Sequence, residues 1–292
     1  MGRDLADSFD AARELFAKAD DQLGFSLTDA MFNGPSEELT RTSICQPALY
    51  THGLACLEIL KAQVPDLEIA GVAGLSLGEF TAHAAAGTFD FATGLDLVAK
   101  RGRFMEEATS TTQGSMAALI GGEEDEVRRL AADCDIDVAN FNAPGQIVVS
   151  GSKEGVAKAV ASAEEYGIRI ATELDVAGAY HSRLMMPAQE KLAAVLAEQE
   201  LNTPSIPVTC NVEGRLVSEA DDIRRTLEAQ VSGSVRWSDC VQHFIEQGED
   251  LFIELGPGRV LAGLMRRIDR SKKALSFADV DGLEKTVEEL SA

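Results

Sequence analysis

The sequence lacks an excess of positive charge and any apolar stretch of membrane-spanning length. Its 292 residues include 26 lysines and arginines against 48 aspartates and glutamates, a formal net charge of −22. Binding to nucleic acid requires a basic surface, so this composition excludes that class. No apolar run approaches the roughly 20 residues of a membrane helix, and the first residues lack the charged-then-apolar pattern of a secretory signal. We therefore expect a cytoplasmic protein that binds neither nucleic acid nor membrane.

Cysteine and histidine are also few and scattered. The five cysteines are odd in number and show no Cys-x-x-Cys spacing, and the four histidines form no His-Glu-x-x-His motif. These absences argue against a disulfide framework and against a metal site. The hydrophobic content of 45% and the charged content of 25% are those of an ordinary globular protein. The length suffices for one large domain, or for a domain with a smaller one inserted.

The segment from Gly74 to Gly78, Gly-Leu-Ser-Leu-Gly, matches the G-x-S-x-G pattern. The apolar run Ile69 to Ala73 predicts a buried strand before it, and the alanine-rich run Leu77 to Ala86 predicts a helix after it. A serine on such a sharp turn exposes its hydroxyl, and the glycines remove side chains that would block the turn. The amide of Leu77, at the helix N-terminus, can point at an oxyanion. Ser76 is therefore a candidate acyl-accepting nucleophile.

The order of predicted elements indicates the fold class. Helices predicted over 5–23, 42–61 and 90–108, together with the strand and helix around Ser76, indicate an α/β fold with a parallel sheet. After residue 113 the order becomes β-α-β-β-α-β, the ferredoxin-like order, within about 65 residues. We therefore expect an α/β-hydrolase-like catalytic subdomain, residues 1–113 and 179–292, with an inserted ferredoxin-like subdomain, residues 114–178.

Several short blocks resemble, in the same order, the motifs of malonyl-CoA:acyl carrier protein transacylases and of the related acyltransferase domains of polyketide synthases. The blocks are Gln46-Pro47-Ala48, the Ser76 turn through Glu79-Phe80, Arg101-Gly102-Arg103-Phe104-Met105, Asn140 to Gln146, Gly178-Ala179-Tyr180-His181-Ser182 and Glu254 to Gly258. The resemblance extends from about residue 1 to residue 264. Spaced blocks in one order are far more specific than the serine motif alone.

The resemblance implies transfer of a malonyl group from malonyl-CoA to the phosphopantetheine thiol of acyl carrier protein, in fatty acid or polyketide biosynthesis, through a malonyl-Ser76 intermediate. His181 would take the proton of Ser76 and later protonate the leaving thiolate. Arg101 would bind the malonyl carboxylate through two parallel hydrogen bonds, which a lysine cannot reproduce. Arg103, by contrast, is expected to be an ordinary surface charge.

The resemblance also implies three further site residues. The backbone carbonyl of Gln230 would orient His181. Asn142 and Tyr180 would lie at the acyl pocket, although Asn142 has an equally good interpretation as a turn-forming residue before Pro144. No metal or organic cofactor is implied, and we expect a monomer.

Two departures from the family pattern stand out. Leu75 replaces the histidine usual at that position, which we expect to change local packing. The family begins with a strand and an F-P-G-Q-G loop whose glutamine amide is a second oxyanion donor, and this sequence contains no such segment. Loss of one such donor typically lowers the rate by about 100–1,000-fold. We therefore expect either a start assigned too far downstream or a weakened enzyme.

Two other functions remain open from the residues. A serine esterase or thioesterase would need an acidic residue between Ser76 and His181 in chain order, for which Asp96, Asp135 and Asp175 are candidates. A non-catalytic homologue that binds carrier protein would not need Ser76, Arg101 and His181 together.

Overall fold

The computed structural model describes residues 1–291, in which helices and strands alternate as in an α/β fold. The α-helices are α1 Arg3–Ser8, α2 Asp10–Leu23, α3 Leu27–Asn33, α4 Ser36–Leu39, α5 Thr42–Gln63, α6 Leu77–Ala85, α7 Phe91–Thr111, α8 Glu124–Asp133, α9 Lys153–Ser162, α10 Met186–Ala197, α11 Ala220–Ala229, α12 Trp237–Glu246, α13 Val260–Ile268 and α14 Val280–Leu290. The strands are β1 Gly114–Ile120, β2 Asp137–Ala143, β3 Gln146–Ser152, β4 Ile170–Glu173, β5 Val208–Cys210, β6 Arg215–Val217, β7 Leu251–Leu255 and β8 Lys273–Phe277.

One sheet has four strands in the order β2-β3-β1-β4, and all neighbours are antiparallel. The elements between residues 114 and 178 follow the predicted order β-α-β-β-α-β. Helices α8 and α9 supply Val127, Leu130 and Val156 to an apolar core that the strands complete. Pro144-Gly145 joins β2 to β3 in a two-residue turn, in which Gly145 has a φ of 68° that favours glycine.

The largest apolar core surrounds α5, which is buried on nearly all sides. Its neighbours include α2, α6 and α7. A helix that is apolar all round must lie inside the protein, which explains this central position. Helices α5 and α7 thereby carry Gln46 and Arg101 into the interior.

The predicted strand Ile69–Ala73 does not form as a strand. Only Val72 pairs, in an isolated parallel bridge to Val208, with Val72 N–H donating to Pro207 O at 2.8 Å. A cavity of about 590 Å³ is lined both by this segment and by β7, which in the described part of the chain pairs with β8 alone. Because a strand needs a continuous ladder of hydrogen bonds, one partner residue on one side is too little. The expected parallel sheet is therefore divided into short separate pieces.

The predicted helix over residues 5–23 is also wrong in one respect. Phe9 has extended dihedral angles, φ −133° and ψ 124°, and separates α1 from α2. Leu5 and Phe16 still reach the same apolar core on either side of this break. The helical periodicity of the sequence thus identified the buried face correctly. It could not reveal that the helix is interrupted at Phe9.

None of the helices within residues 1–291 is long and apolar enough to cross a bilayer.

Candidate active site

Ser76 lies on a tight turn immediately before α6, with φ 54° and ψ −110°. Positive φ is uncommon for a residue other than glycine and often marks a functional turn. A Cβ atom at Gly74 would lie 1.8 Å from the backbone of Gly78, so only glycine fits there. Asn211 braces the turn: its Oδ1 accepts from Ser76 N–H at 2.7 Å, and its Nδ2 donates to Gly74 O at 2.8 Å.

Leu77 is the first residue of α6, so its amide has no acceptor within the helix. The helix N-terminus favours negative charge at this point. The turn thus places a free backbone donor beside a hydroxyl, which is the arrangement needed to stabilise an oxyanion formed at Ser76.

His181 faces the hydroxyl of Ser76. Its Nε2 lies 2.7 Å from Ser76 Oγ, and its Nδ1 lies 2.9 Å from Gln230 O and 3.2 Å from Gly233 O. Because carbonyl oxygens only accept, Nδ1 carries the proton and Nε2 presents its lone pair to Ser76. Burial, and after it the charge of Arg101, lower the pKa of His181 to about 4. The imidazole is therefore uncharged near neutral pH and can accept a proton.

Arg101 extends from α7 into the same interior region and is only 1% exposed. Its Nη2 donates to Ser76 Oγ at 3.0 Å and to Gln230 Oε1 at 2.8 Å, and its Nη1 donates to Gln46 Oε1 at 2.8 Å. The guanidinium carbon lies 5.5 Å from the centre of the Phe80 ring. These contacts hold a cation beside the candidate nucleophile.

No carboxylate of residues 1–291 forms an ion pair with Arg101, whose described acceptors are two neutral amides and one hydroxyl. Burial lowers the pKa of Arg101 to about 10, while the carboxyl of Glu79 acts in the opposite direction. The side chain therefore remains charged near neutral pH. A buried cation without a paired anion is well suited to binding a carboxylate.

Arg103 behaves as the sequence predicts, since its side chain is 61% exposed and lies 3.9 Å from Glu107. Leu75 packs with an apolar cluster that includes Trp237. Within the described residues, no three His, Cys, Asp or Glu side chains come together in a way that could hold a metal ion.

The two candidate pocket residues lie in different surroundings. Tyr180 is half-buried, and its hydroxyl is 2.6 Å from Thr42 Oγ1. Asn142 lies within β2 and not in the turn, so its interpretation as a turn-forming residue is wrong. Its Oδ1 is buried and has no hydrogen-bond partner in the described part of the chain. Neither side chain is hydrogen-bonded to Ser76, His181 or Arg101 in that part.

None of the three acidic candidates orients His181. Asp96 pairs with Lys100 at 2.7 Å, Asp135 pairs with Arg183 at 2.7 Å, and Asp175 is exposed. The acceptors that face Nδ1 of His181 are backbone carbonyls. The geometry therefore differs from the Ser-His-acid arrangement that an esterase of this type requires.

The sequence did not point to Asn211 or to the side chains of Gln46 and Gln230 as parts of the site. Gln46 lies in the Gln46-Pro47-Ala48 block on a largely apolar helix. Because a buried polar side chain needs a hydrogen-bond partner, its position could have indicated a role in the site. Asn211 directly follows β5 and is fully buried. No short motif marks it in the sequence.

The family model described as "Acyl transferase domain" matches residues 1–289. The malonyl CoA-acyl carrier protein transacylase of Bacillus subtilis is 38% identical over 297 residues, covering 99% of this chain and 92% of that protein. The polyketide biosynthesis malonyl CoA-acyl carrier protein transacylase of the same organism is 38% identical, covering 94% of each chain.

Solved structures give the same result. The malonyl CoA-acyl carrier protein transacylase of Coxiella burnetii superimposes with a TM-score of 0.95 at 33% identity, covering 100% of this chain and 93% of that one. A malonyl-transacylase in complex with a type II polyketide synthase acyl-carrier protein superimposes with a TM-score of 0.95 at 36% identity, covering 99% of this chain and 94% of that one.

Proposed function

This chain belongs to the acyl transferase domain family, and from that premise we propose that it transfers a malonyl group from malonyl-CoA to acyl carrier protein. It is an acyl-carrier-protein S-malonyltransferase of fatty acid or polyketide biosynthesis. The observation that carries this function is the buried guanidinium of Arg101, which lies 3.0 Å from Ser76 Oγ and has no ion-pair partner within residues 1–291. A transferase of uncharged acyl groups would have no use for that cation.

The contacts support a two-step transfer. The Ser76 hydroxyl proton passes to His181 Nε2 while Oγ attacks the thioester carbonyl, and the Leu77 amide donates to the resulting oxyanion. When the C–S bond breaks, the CoA thiolate takes the proton from His181, leaving malonyl-Ser76. The carrier thiol then gives its proton to His181, attacks the ester carbonyl and releases Ser76, whose oxygen recovers the proton.

Arg101 would hold the malonyl carboxylate through this cycle. Its Nη2 points at the Ser76 hydroxyl, so a carboxylate bound there keeps the thioester end of the malonyl group close to Oγ. The carbonyl of Gln230 would orient His181, and Tyr180, tied to Thr42, would form one wall of the acyl pocket with Asn142.

We propose the same two-part architecture as the sequence predicts, with residues 114–178 as a ferredoxin-like subdomain and residues 1–113 and 179–292 as an α/β-hydrolase-like catalytic subdomain. The sheet order β2-β3-β1-β4 supports this division. Asn140 of β2 pairs with Val235, so the two parts touch near the residues that face His181. The five free cysteines favour a reducing compartment, and we place the enzyme in the cytoplasm as a monomer.

The direct test is transfer itself. Incubation with malonyl-CoA and holo acyl carrier protein should add one malonyl group to the carrier, detected by intact mass. Release of free malonate without carrier acylation would instead indicate a thioesterase, and no acylated species at all would contradict both functions.

The rate of Ser76 acylation should stay constant from pH 8 to pH 6 and fall only as the pH drops toward 4. Protonation of His181 removes its ability to accept a proton, and its pKa of about 4 sets where this occurs. Single-turnover acylation by malonyl-CoA, with circular dichroism to confirm folding at each pH, measures the profile. A midpoint near 6.5, the value of an ordinary histidine, would contradict the neutral, buried state described above.

Acyl carrier proteins are acidic, and this chain carries −22, so a local basic surface is needed for docking. Arg266 and Arg267 in the last turn of α13 and nearby Arg270 are exposed, whereas Lys272 and Lys273 already pair with Asp250 and Glu289. We name Arg266, Arg267 and Arg270 the arginine patch.

Reversing two charges of the arginine patch, Arg266→Glu with Arg270→Glu, should raise the KM for carrier protein on the order of tenfold. Acylation by malonyl-CoA alone should not change. Lys18→Glu with Lys153→Glu applies the same total charge change at other exposed positions and serves as the control. If both variants have the same effect, or if the two half-reactions fall together, the patch is not the docking surface.

A further inference from the structure

A buried carboxyl group lies behind the nucleophile turn, at Glu79 in the first turn of α6. Its Oε2 accepts two hydrogen bonds, from Gln230 Nε2 at 2.7 Å and from Asn211 N–H at 3.1 Å. Its Oε1 has no hydrogen-bond partner within residues 1–291. The transfer steps described above do not use this group, so its presence in the interior needs a reason.

The contacts of the Gln230 side chain supply that reason. Its Nε2 lies between two acceptors, Glu79 Oε2 and Ser76 O, the latter at 2.8 Å. Its Oε1 accepts from Arg101 Nη2 at 2.8 Å. If the Gln230 amide were flipped, its NH2 group would face the Arg101 guanidinium, and two donors would oppose each other. Its oxygen would face Glu79 Oε2 and Ser76 O, which are acceptors, so these hydrogen bonds would be lost. Glu79 therefore favours the one orientation of Gln230 in which Arg101 is held.

Gln230 also accepts from His181 through its backbone carbonyl, at 2.9 Å. The second hydrogen bond of Glu79 goes to Asn211, whose side chain fixes the Ser76 amide at 2.7 Å. One carboxyl oxygen thus contacts both residues that position the nucleophile, the base and the cation.

We propose that Glu79 is a positioning residue for malonyl transfer: through Gln230 it keeps Arg101 beside Ser76 Oγ, and so it maintains the preference for a carboxylated acyl group. This inference rests on the proposed function. Because both hydrogen bonds end on one oxygen, an amide oxygen can replace it. Burial raises the pKa of Glu79 to about 8, so near neutrality the carboxyl is largely protonated and its charge is not what the site requires.

The test compares Glu79→Gln with Glu79→Met in single-turnover acylation by malonyl-CoA and by acetyl-CoA. Glu79→Gln keeps the acceptor and should retain both rates within about threefold. Glu79→Met removes the carboxyl acceptor from Gln230 Nε2 and from Asn211 N–H, so the Gln230 amide loses one of the two contacts that fix its orientation. It should therefore lower malonyl acylation by roughly 10–100-fold and lower the malonyl-to-acetyl ratio.

Thr88→Val is the control. It removes a buried contact of 3.0 Å with His83, which lies on α6 as Glu79 does, and the described residues show no hydrogen bond from Thr88 to Gln230 or Arg101. It should lower the melting temperature without changing the acyl ratio. If Glu79→Met fails to fold, Glu79→Asp is used instead, since its shorter side chain also withdraws the acceptor from Gln230. An unchanged malonyl-to-acetyl ratio in folded Glu79→Met or Glu79→Asp would overturn the proposal. An equal loss of malonyl acylation in Glu79→Gln would overturn it as well.

Failure of the proposed function is distinguished by the wild-type protein, which would then pass no malonyl group to holo acyl carrier protein. In that case the ¹⁵N signals of the His181 imidazole decide the matter. They should shift in Glu79→Met but not in Glu79→Gln or Thr88→Val, and identical spectra in all variants would overturn the positioning role.

Discussion

A Ser76→Ala variant is expected to take up no malonyl group from malonyl-CoA, whereas the wild-type protein gains one. Without Oγ there is no atom 2.7 Å from His181 Nε2 that can form the acyl intermediate. Removing the nucleophile of a serine enzyme typically lowers kcat by about 10⁴-fold or more. Intact-mass measurement followed by peptide mapping detects both the loss and the labelled position.

Ser150→Ala is a suitable control, because Ser150 is a fully buried serine of β3, outside the candidate site. This variant should be labelled as the wild type is. A stable label on a residue other than Ser76, or undiminished label in Ser76→Ala, would remove Ser76 from the proposed role.

An Arg101→Ala variant should lose malonyl transfer heavily while acetyl transfer survives or rises. A charge-assisted hydrogen bond is worth about 1.5–3 kcal/mol, which corresponds to roughly 10–150-fold, and burial of Arg101 favours the upper part of that range. Arg101→Lys should not restore malonyl transfer fully, since an ammonium cannot form two parallel hydrogen bonds with one carboxylate. The comparison uses kcat/KM for malonyl-CoA and for acetyl-CoA.

Arg103→Ala, two residues along the same helix, provides the matched control. Its side chain is 61% exposed, and its weak ion pair with Glu107 should contribute little. Both acyl groups should be transferred at wild-type rates by this variant. Equal losses of malonyl and acetyl transfer in Arg101→Ala would assign Arg101 a structural role instead.

The parts of the molecule that sequence analysis predicted well depend on neighbours along the chain. The helix after Ser76 was predicted as 77–86 and is found as Leu77–Ala85, because glycine, serine and an alanine-rich run act within a few residues. The helix predicted over 42–61 is found as Thr42–Gln63 for the same reason. The six elements between residues 114 and 178 likewise follow from short periodic patterns.

The wrong predictions concern features that depend on a distant partner. Ile69–Ala73 has the composition of a buried strand, but pairing requires other strands, and only Val208 is in place beside Val72. The break at Phe9 leaves the helical periodicity intact, so no pattern could reveal it. Elements α3, α4, β6, β8, α13 and α14 were not predicted.

By itself, the sequence determined the class of fold, the family, and the identity of the serine, histidine and arginine at the candidate site. It also predicted that the backbone carbonyl of Gln230 lies near His181. Gln230 O and His181 Nδ1 are 2.9 Å apart, and the role of this contact in orienting the imidazole stays a prediction. Motifs can carry this information because each block preserves local chemistry and local backbone geometry.

Only the tertiary structure decided how those blocks are held together. Asn211 reaches the Ser76 amide from 135 residues away, and the Gln230 side chain reaches Glu79 from 151 residues away. Such contacts form because buried polar groups must find partners in the folded interior, wherever the chain supplies them. The choice of partner depends on the packing of whole helices and strands, which no local pattern specifies.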